Sequence, residues 1–169
     1  MGVTIHFEGK LKDRAGLEIV VRSVGAFAQA RGWRATPISE MEAHLARVRD
    51  EADWDYDGPT SGIEVLPHER CDPVRLEFDA DLYVQEFTKT QFAGPSVHRE
   101  VIALLRELAP NFETLQVDDE GEYWDTSDAA LLTKHIDACN RALEDELRKD
   151  PRAQGPVRVE GGRWVDILS

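Results

Sequence analysis

The chain has 169 residues and a formal net charge of −13, from 20 Lys and Arg against 33 Asp and Glu. A length of this order fits one domain, which buries roughly two-thirds of the surface of its unfolded chain and needs no metal or disulfide to fold. The charge argues against a nucleic-acid partner, whose phosphates demand a basic patch, and the two cysteines, Cys71 and Cys139, are too few and too distant for a disulfide framework.

The N-terminal MGVTIHFEGK lacks the apolar core of a secretory signal, and no run reaches membrane-spanning length, so a cytoplasmic location is expected. VTIHFEG alternates, with Val3, Ile5 and Phe7 on one side and Thr4, His6 and Glu8 on the other, as in a half-buried strand. Leu17, Val20, Val21, Val24, Phe27 and Ala28 then recur at helical spacing, and Gly32 is placed to end that helix. Ser39 with Glu42 reads as a capping box opening a second helix over Met41, Leu45 and Val48. GIEVL and VRLEF are two short strands joined by the proline-bounded turn PHERCDP. Ser96 is the expected cap of a helix striped by Val97, Val101, Leu104, Leu105 and Leu108, with Pro110 beyond its end. TLQVD is a fourth strand. Ser127 or Asp128 opens a long helix carrying Leu132, Ile136, Cys139, Leu143 and Leu147 on one face, stopped by Pro151. VRVEGGRWVDIL reads as a terminal hairpin around Gly161-Gly162.

This order predicts a single α+β domain over residues 1–169. Its centre is a ferredoxin-like βαββαβ antiparallel sheet, strand order 4-1-3-2, with helices on one face and an extra C-terminal helix and hairpin. In that topology the connections 50–61, 79–95 and 118–127 share one end of the sheet. Their acids, Asp50 to Asp57, Asp79, Asp81, Glu86 and Asp118 to Asp125, would then form one pole interleaved with aromatic side chains. Aromatic residues are enriched at interface cores, so Trp54, Asp55, Asp57, Glu120, Glu122, Tyr123 and Trp124 are the expected binding residues.

Three further clusters carry possible chemistry. DWDYDGPTSGIE, residues 53–64, fits the calcium-loop pattern D-x-[DN]-x-[DN]-G-x5-E at every specified position, which makes Asp53, Asp55, Asp57 and Glu64 candidate metal ligands. An EF-hand also needs a helix after the loop. EVLP after Glu64 reads as a strand instead, so an acidic turn is the preferred reading and no cofactor is expected. His68, Cys71, His135 and Cys139 have zinc-like spacings, but the topology separates the first pair from the second. On the open sheet face, His6 with Glu8 or Glu77 can form a general base with an orienting carboxylate, and Arg75 can hold an anion. The plainer reading of those four residues is a set of cross-strand ion pairs on a wet surface. No Walker loop, GxGxxG or GxSxG elbow occurs.

TIHFEGKL, RLEFDADLYVQEFTKTQFAG and DEGEYWDT together resemble a family of small bacterial cytoplasmic proteins that has no assigned activity. The resemblance covers most of the chain. It implies one intact domain and brings no catalytic motif or ligand.

The expected function is that of a non-enzymatic acidic binding protein, immunity- or inhibitor-like in charge and size, engaging a basic protein partner through the acidic, aromatic pole. The second reading is an enzyme or small-ligand protein working from the open face around His6, Glu8, Arg75 and Glu77. The third is calcium binding at residues 53–64. Neither nucleic acid nor membrane is an expected partner, and the sequence leaves the oligomeric state open.

Overall fold

A computed structural model describes residues 2–168 and shows a mixed α+β fold with antiparallel sheets. β1 (Thr4–Leu11) leads into α1 (Arg14–Arg31). Asp13 caps this helix by accepting from the Gly16 N–H at 2.8 Å, and Gly32 closes it in the left-handed region at φ 70°. β2 (Arg34–Leu45) follows and pairs with β5 (Tyr56–Leu66); the tip between them folds into a small ladder of β3 (Val48–Arg49) and β4 (Ala52–Asp53). Then come β6 (Val74–Phe78), β7 (Tyr83–Lys89), α2 (Pro95–Leu108), β8 (Phe112–Asp119), the short α3 (Tyr123–Thr126) and α4 (Ala129–Lys149). β9 (Val157–Arg158) and β10 (Trp164–Val165) form the terminal hairpin, as expected.

The strands form two principal sheets, ordered β7-β1-β8 and β2-β5-β6. The β6–β7 hairpin joins them. Its strands bond at the two ends, Asp79 N–H to Tyr83 O and Asp72 N–H to Lys89 O, both at 3.0 Å. β8 lies beside β1 and β5 beside β6, as the 4-1-3-2 order requires, but β1 does not pair with β6. β7 takes that place, with Thr4 opposite Lys89 and Lys10 opposite Tyr83. YVQEFTK falls inside the expected connection 79–95 because its polarity runs against its burial: the polar Thr88 is buried, whereas the apolar Phe87 is exposed.

Residues 39–50 are the second correction. No helix forms there, and Arg34–Leu45 is one long strand. The stripe that suggested a helix never gains a core, since Met41 is 85 % exposed and Val48 55 % exposed. A helix with no buried face has little beyond weak intrinsic propensity to hold it, whereas the strand gains a ladder along β5. The third correction concerns α2. Its N-cap is Gly94 rather than Ser96, no side chain caps it, and Pro95 sits in its first turn.

One face of the sheets carries the core. The odd residues Ile5, Phe7 and Leu11 of β1 pack with Val20 and Val24 of α1, Leu104, Leu105 and Leu108 of α2, and Val74, Leu76 and Phe78 of β6. A smaller cluster, Val3 with Leu132 and Ile136, seats α4. Gly62 lets β5 run close between its neighbours: its φ is 154°, and a Cβ there would meet the Leu76 carbonyl oxygen at 1.8 Å. No helix among the described residues is long and apolar enough to cross a membrane.

Candidate functional site

The even residues of β1 face away from the core. Ladder register places His6 between Phe87 and Asp118, and Glu8 between Gln85 and Gln116. Arg75 and Glu77 of β6 extend this surface. The tip of the β2–β5 hairpin, residues 46–55, folds over one end of it as a strap. Arg163 from the terminal hairpin closes the side near Phe87, its guanidinium 4.0 Å from the ring centre. The result is a groove of about 920 Å³.

His6, Glu8, Arg75 and Glu77 all line this groove, but not in the expected partnerships. His6 meets Glu120 at 3.7 Å and lies 6.0 Å from the Phe87 ring, rather than bonding to Glu8 or Glu77. Glu8 accepts from the Tyr83 hydroxyl and from the Gln85 amide. Burial and this carboxylate push the Tyr83 phenol up to about 12. Arg75 donates to Glu77 at 2.9 Å and to Glu64 at 2.5 Å. Glu77 is buried and also accepts from the Thr60 hydroxyl at 2.6 Å. Arg75 is therefore neutralised from both sides and holds no free charge for an anion.

The strap is pinned by a residue that the sequence reading assigned no role. Arg47 is buried, and its Nη1 donates to Asp79 Oδ2 at 2.7 Å. Its Nη2 donates to the Tyr83 carbonyl at 3.2 Å. The rings of Tyr83, Tyr56 and Trp54 surround the guanidinium at 5.2, 5.3 and 5.5 Å. Beside it, the Val48 peptide is held at both atoms by the Gln85 side chain. A signal was available: RVRDEADWDYD sets two arginines beside a run of acids and aromatics.

The single acidic pole does not form. β8 runs antiparallel to β1, so Asp119 lies at the Ile5 end, whereas the 79–82 turn and the strap lie at the Leu11 end. The binding candidates thus divide into two groups roughly 20 Å apart, at about 3.3 Å per strand residue. Trp54, Asp55 and Asp57 are at the strap end. Glu120, Glu122, Tyr123 and Trp124 are at the other. Tyr123 and Trp124 are half-buried against the core cluster, and Arg106 clamps their carbonyls at 3.0 and 2.9 Å.

The calcium pattern is also taken apart by the fold. Asp55 accepts from the Arg47 N–H at 3.1 Å, and Asp57 faces His44 Nδ1 at 2.7 Å. Glu64 sits seven residues further along the extended β5 and pairs with Arg75. That bond from Asp57, its charge and the neighbouring Asp55 raise the His44 pKa above its ordinary value. Among the described residues, no three His, Cys, Asp or Glu side chains gather in metal-holding geometry, and this includes Asp53 and the set His68, Cys71, His135 and Cys139. Cys71 is buried, and burial with Asp72 nearby pushes its thiol well up.

At the end opposite the strap, His98 lies wholly buried between Thr90 and Asp119. Its Nδ1 is 2.7 Å from Thr90 Oγ1, and its Nε2 is 3.0 Å from Asp119 Oδ1. Asp119 also accepts from the Gly121 and Trp124 N–H groups at 2.7 and 2.9 Å. Burial pushes its carboxyl up, but His98 and these two donors outweigh burial and hold it below the usual carboxylate range. The arrangement has the composition of a Thr-His-Asp triad, yet it lies inside the protein, ties β7, α2 and β8 together, and lines neither the groove nor its rim.

No protein-family model, curated protein or solved structure matches this chain.

Proposed function

We propose that the protein is a non-enzymatic binding protein of the cytoplasm whose open-face groove takes a basic ligand. The observation that carries this is the imbalance of charge in the groove. Its three arginines are already bonded to carboxylates: Arg47 to Asp79, Arg75 to Glu64 and Glu77, and Arg163 to Glu86. Asp53, Asp118 and Glu8 line the same groove and have no cationic partner among the described residues. Phe87, 43 % exposed beside His6 and under the Arg163 guanidinium, adds apolar surface on the far side of β1 from Asp118. A cationic group with an aliphatic stem matches that surface, and the overall charge of −13 would speed its arrival.

The fold supports the same reading. We take it as a ferredoxin-like unit, β8-β1-β7-β6, into which the β2–β5 hairpin has been inserted to wall the groove. The basic partner expected from the sequence is retained, with the groove in place of the pole.

Spermine and a lysine-rich peptide test the proposal by calorimetry and thermal unfolding. At about a hundred times its dissociation constant, a ligand adds about 2.7 kcal/mol, which raises the midpoint by roughly 5–10 °C. The shift should shrink with added salt and disappear in the Asp53→Asn, Asp118→Asn double variant. If neither probe binds at low salt, or the double variant binds both as well as the original chain, the groove is not a basic-ligand site.

A further inference from the structure

The strap is held to the β6–β7 hairpin in the way a protein holds an extended peptide, by paired main-chain bonds and a side-chain pocket. The Gln85 amide accepts from the Val48 N–H at 3.0 Å and donates to the Val48 carbonyl at 2.8 Å. The neighbouring pocket receives Arg47. The receiving carboxylate is set in advance: Asp79 Oδ1 accepts from the Asp81 and Tyr83 N–H groups at 2.8 and 3.0 Å, which leaves Oδ2 for the guanidinium. Leu82 in the same turn has φ 65°, a left-handed conformation that a leucine adopts only under constraint. This turn is built around the carboxylate's orientation.

The occupant is less well fitted than its receptor. Arg47 Nε is buried with no hydrogen-bond partner, a defect that folded proteins rarely keep. The strap's tip turns through Asp50 and Glu51 at φ 50° and 66°, positions that favour glycine or asparagine. A receptor preformed on a rigid hairpin thus carries a strained segment with an unsatisfied guanidinium.

We propose that Asp79, Tyr83 and Gln85 form a recognition site for an arginine on an extended segment, held shut here by the chain's own Arg47, and that the basic ligand displaces it. This rests on the reading of the groove as a basic-ligand site and names the group that the ligand presents. Arg47 competes at the high effective concentration of a tethered group. The ligand overcomes this by placing further cations on Glu8 and Asp118, which stay in place on β1 and β8, and by releasing the strained strap. A guanidinium suits the pocket better than an ammonium because its planar fork reaches a carboxylate and a carbonyl together while stacking on the rings.

The test uses a fluorescent peptide with the strap's own sequence, His44 to Asp50, and a second peptide with citrulline in place of the arginine at position 47. Binding is read by polarisation against the full chain and its Arg47→Ala variant. The variant should bind the arginine peptide at least tenfold more tightly than the original chain does, and at least tenfold more tightly than it binds the citrulline peptide. A folded variant that binds both peptides equally, or neither, overturns the proposal. Should Arg47→Ala fail to fold, Arg47→Lys serves, because it keeps the charge and loses the fork; arginine-peptide binding no tighter than that of the original chain then overturns the proposal. Adding Asp53→Asn and Asp118→Asn to the Arg47→Ala variant separates this inference from the groove reading. Spermine binding should vanish while the preference for arginine over citrulline remains. Loss of that preference alone sinks the pocket and leaves the groove.

Discussion

Two buried charge clusters stand at opposite ends of β1, and they are built differently. His98 and Asp119 come from α2 and the end of β8, and both side chains have no solvent exposure. Thr90, Gly121 and Trp124 complete that cluster from the surrounding backbone and core. Arg47 and Asp79 are nearly as buried, at 2 % and 5 % exposure. One of these partners, however, rides on a strap whose flanking residues are exposed. Burial by itself does not separate a structural pair from a recognition pair. What separates them is whether the elements carrying the charges can part without opening the core. Breaking the first pair strands a charge among packed helices. Breaking the second lets water reach Asp79 once the strap moves.

The sharpest test of this contrast is Asp119→Ala. Removal of one partner of a buried pair costs about 3–5 kcal/mol, and the Gly121 and Trp124 donors are orphaned as well. The unfolding midpoint should fall by roughly 6–20 °C, at about 2–4 °C per kcal/mol for a domain of this size. Arg47→Ala should cost less, about 1–3 kcal/mol, with the loss confined to faster amide exchange in the strap. Equal losses in the two variants, with global exchange in both, would erase the distinction.

Acid provides the next test. The folded pKa of Asp119 lies below its unfolded value of about 3.9. Its stabilisation is therefore present above pH of about 3.9 and is lost as pH falls through the lower folded value. Glu86, which holds Arg163 at the groove's side, behaves in the opposite sense. Burial raises its pKa despite the Arg163 charge and bond. Its favourable contribution is present below the unfolded value of about 4.3 and is lost as pH rises through the raised folded value. Midpoints measured across acid pH should show Asp119→Asn flattening the acid limb, and Glu86→Gln flattening the slope towards neutrality. An acid limb unchanged in Asp119→Asn would show that the buried His98 cluster is not what acid attacks.

The smallest expected effect is local. His44 has a raised pKa through its bond to Asp57, its charge and Asp55. The clasp it makes across the β2–β5 hairpin is complete below pH of about 6.5 and loosens as pH rises through the raised value. NMR titration of the His44 ring should show the raised midpoint, and Asp57→Asn should return it towards the ordinary value. No change in that variant would mean that Asp57 does not hold the ring.

Much of the helical and strand content was legible because it obeys local rules. The alternation in VTIHFEG, the stripe Leu17 to Ala28 closed by Gly32, the Asp128 cap and the Gly161-Gly162 hairpin each announce themselves within a few residues. His6, Glu8, Arg75 and Glu77 all line one groove, because alternation decides which side of a strand a residue takes. Where local rules were applied without a known partner strand, the reading failed. Met41, Leu45 and Val48 have helical spacing, yet the ladder with β5 decides their conformation. YVQEFTK gives no clean strand signal because its polarity runs against its burial: the polar Thr88 is buried and the apolar Phe87 is exposed.

Sequence alone determined the composition of the site: a chain rich in acids, with cations set among aromatics and no nucleophile signature. Only the tertiary structure decided which charges meet. β7 lies between β1 and β6, while strand direction sends residues 118–127 to the opposite end from residues 46–55. Charge–charge energies depend on distance through space, and strand order, which local sequence does not encode, sets those distances. The three aspartates and the glutamate that spell a calcium loop on paper are therefore drawn apart, and Arg47 becomes the most deeply buried arginine of the groove.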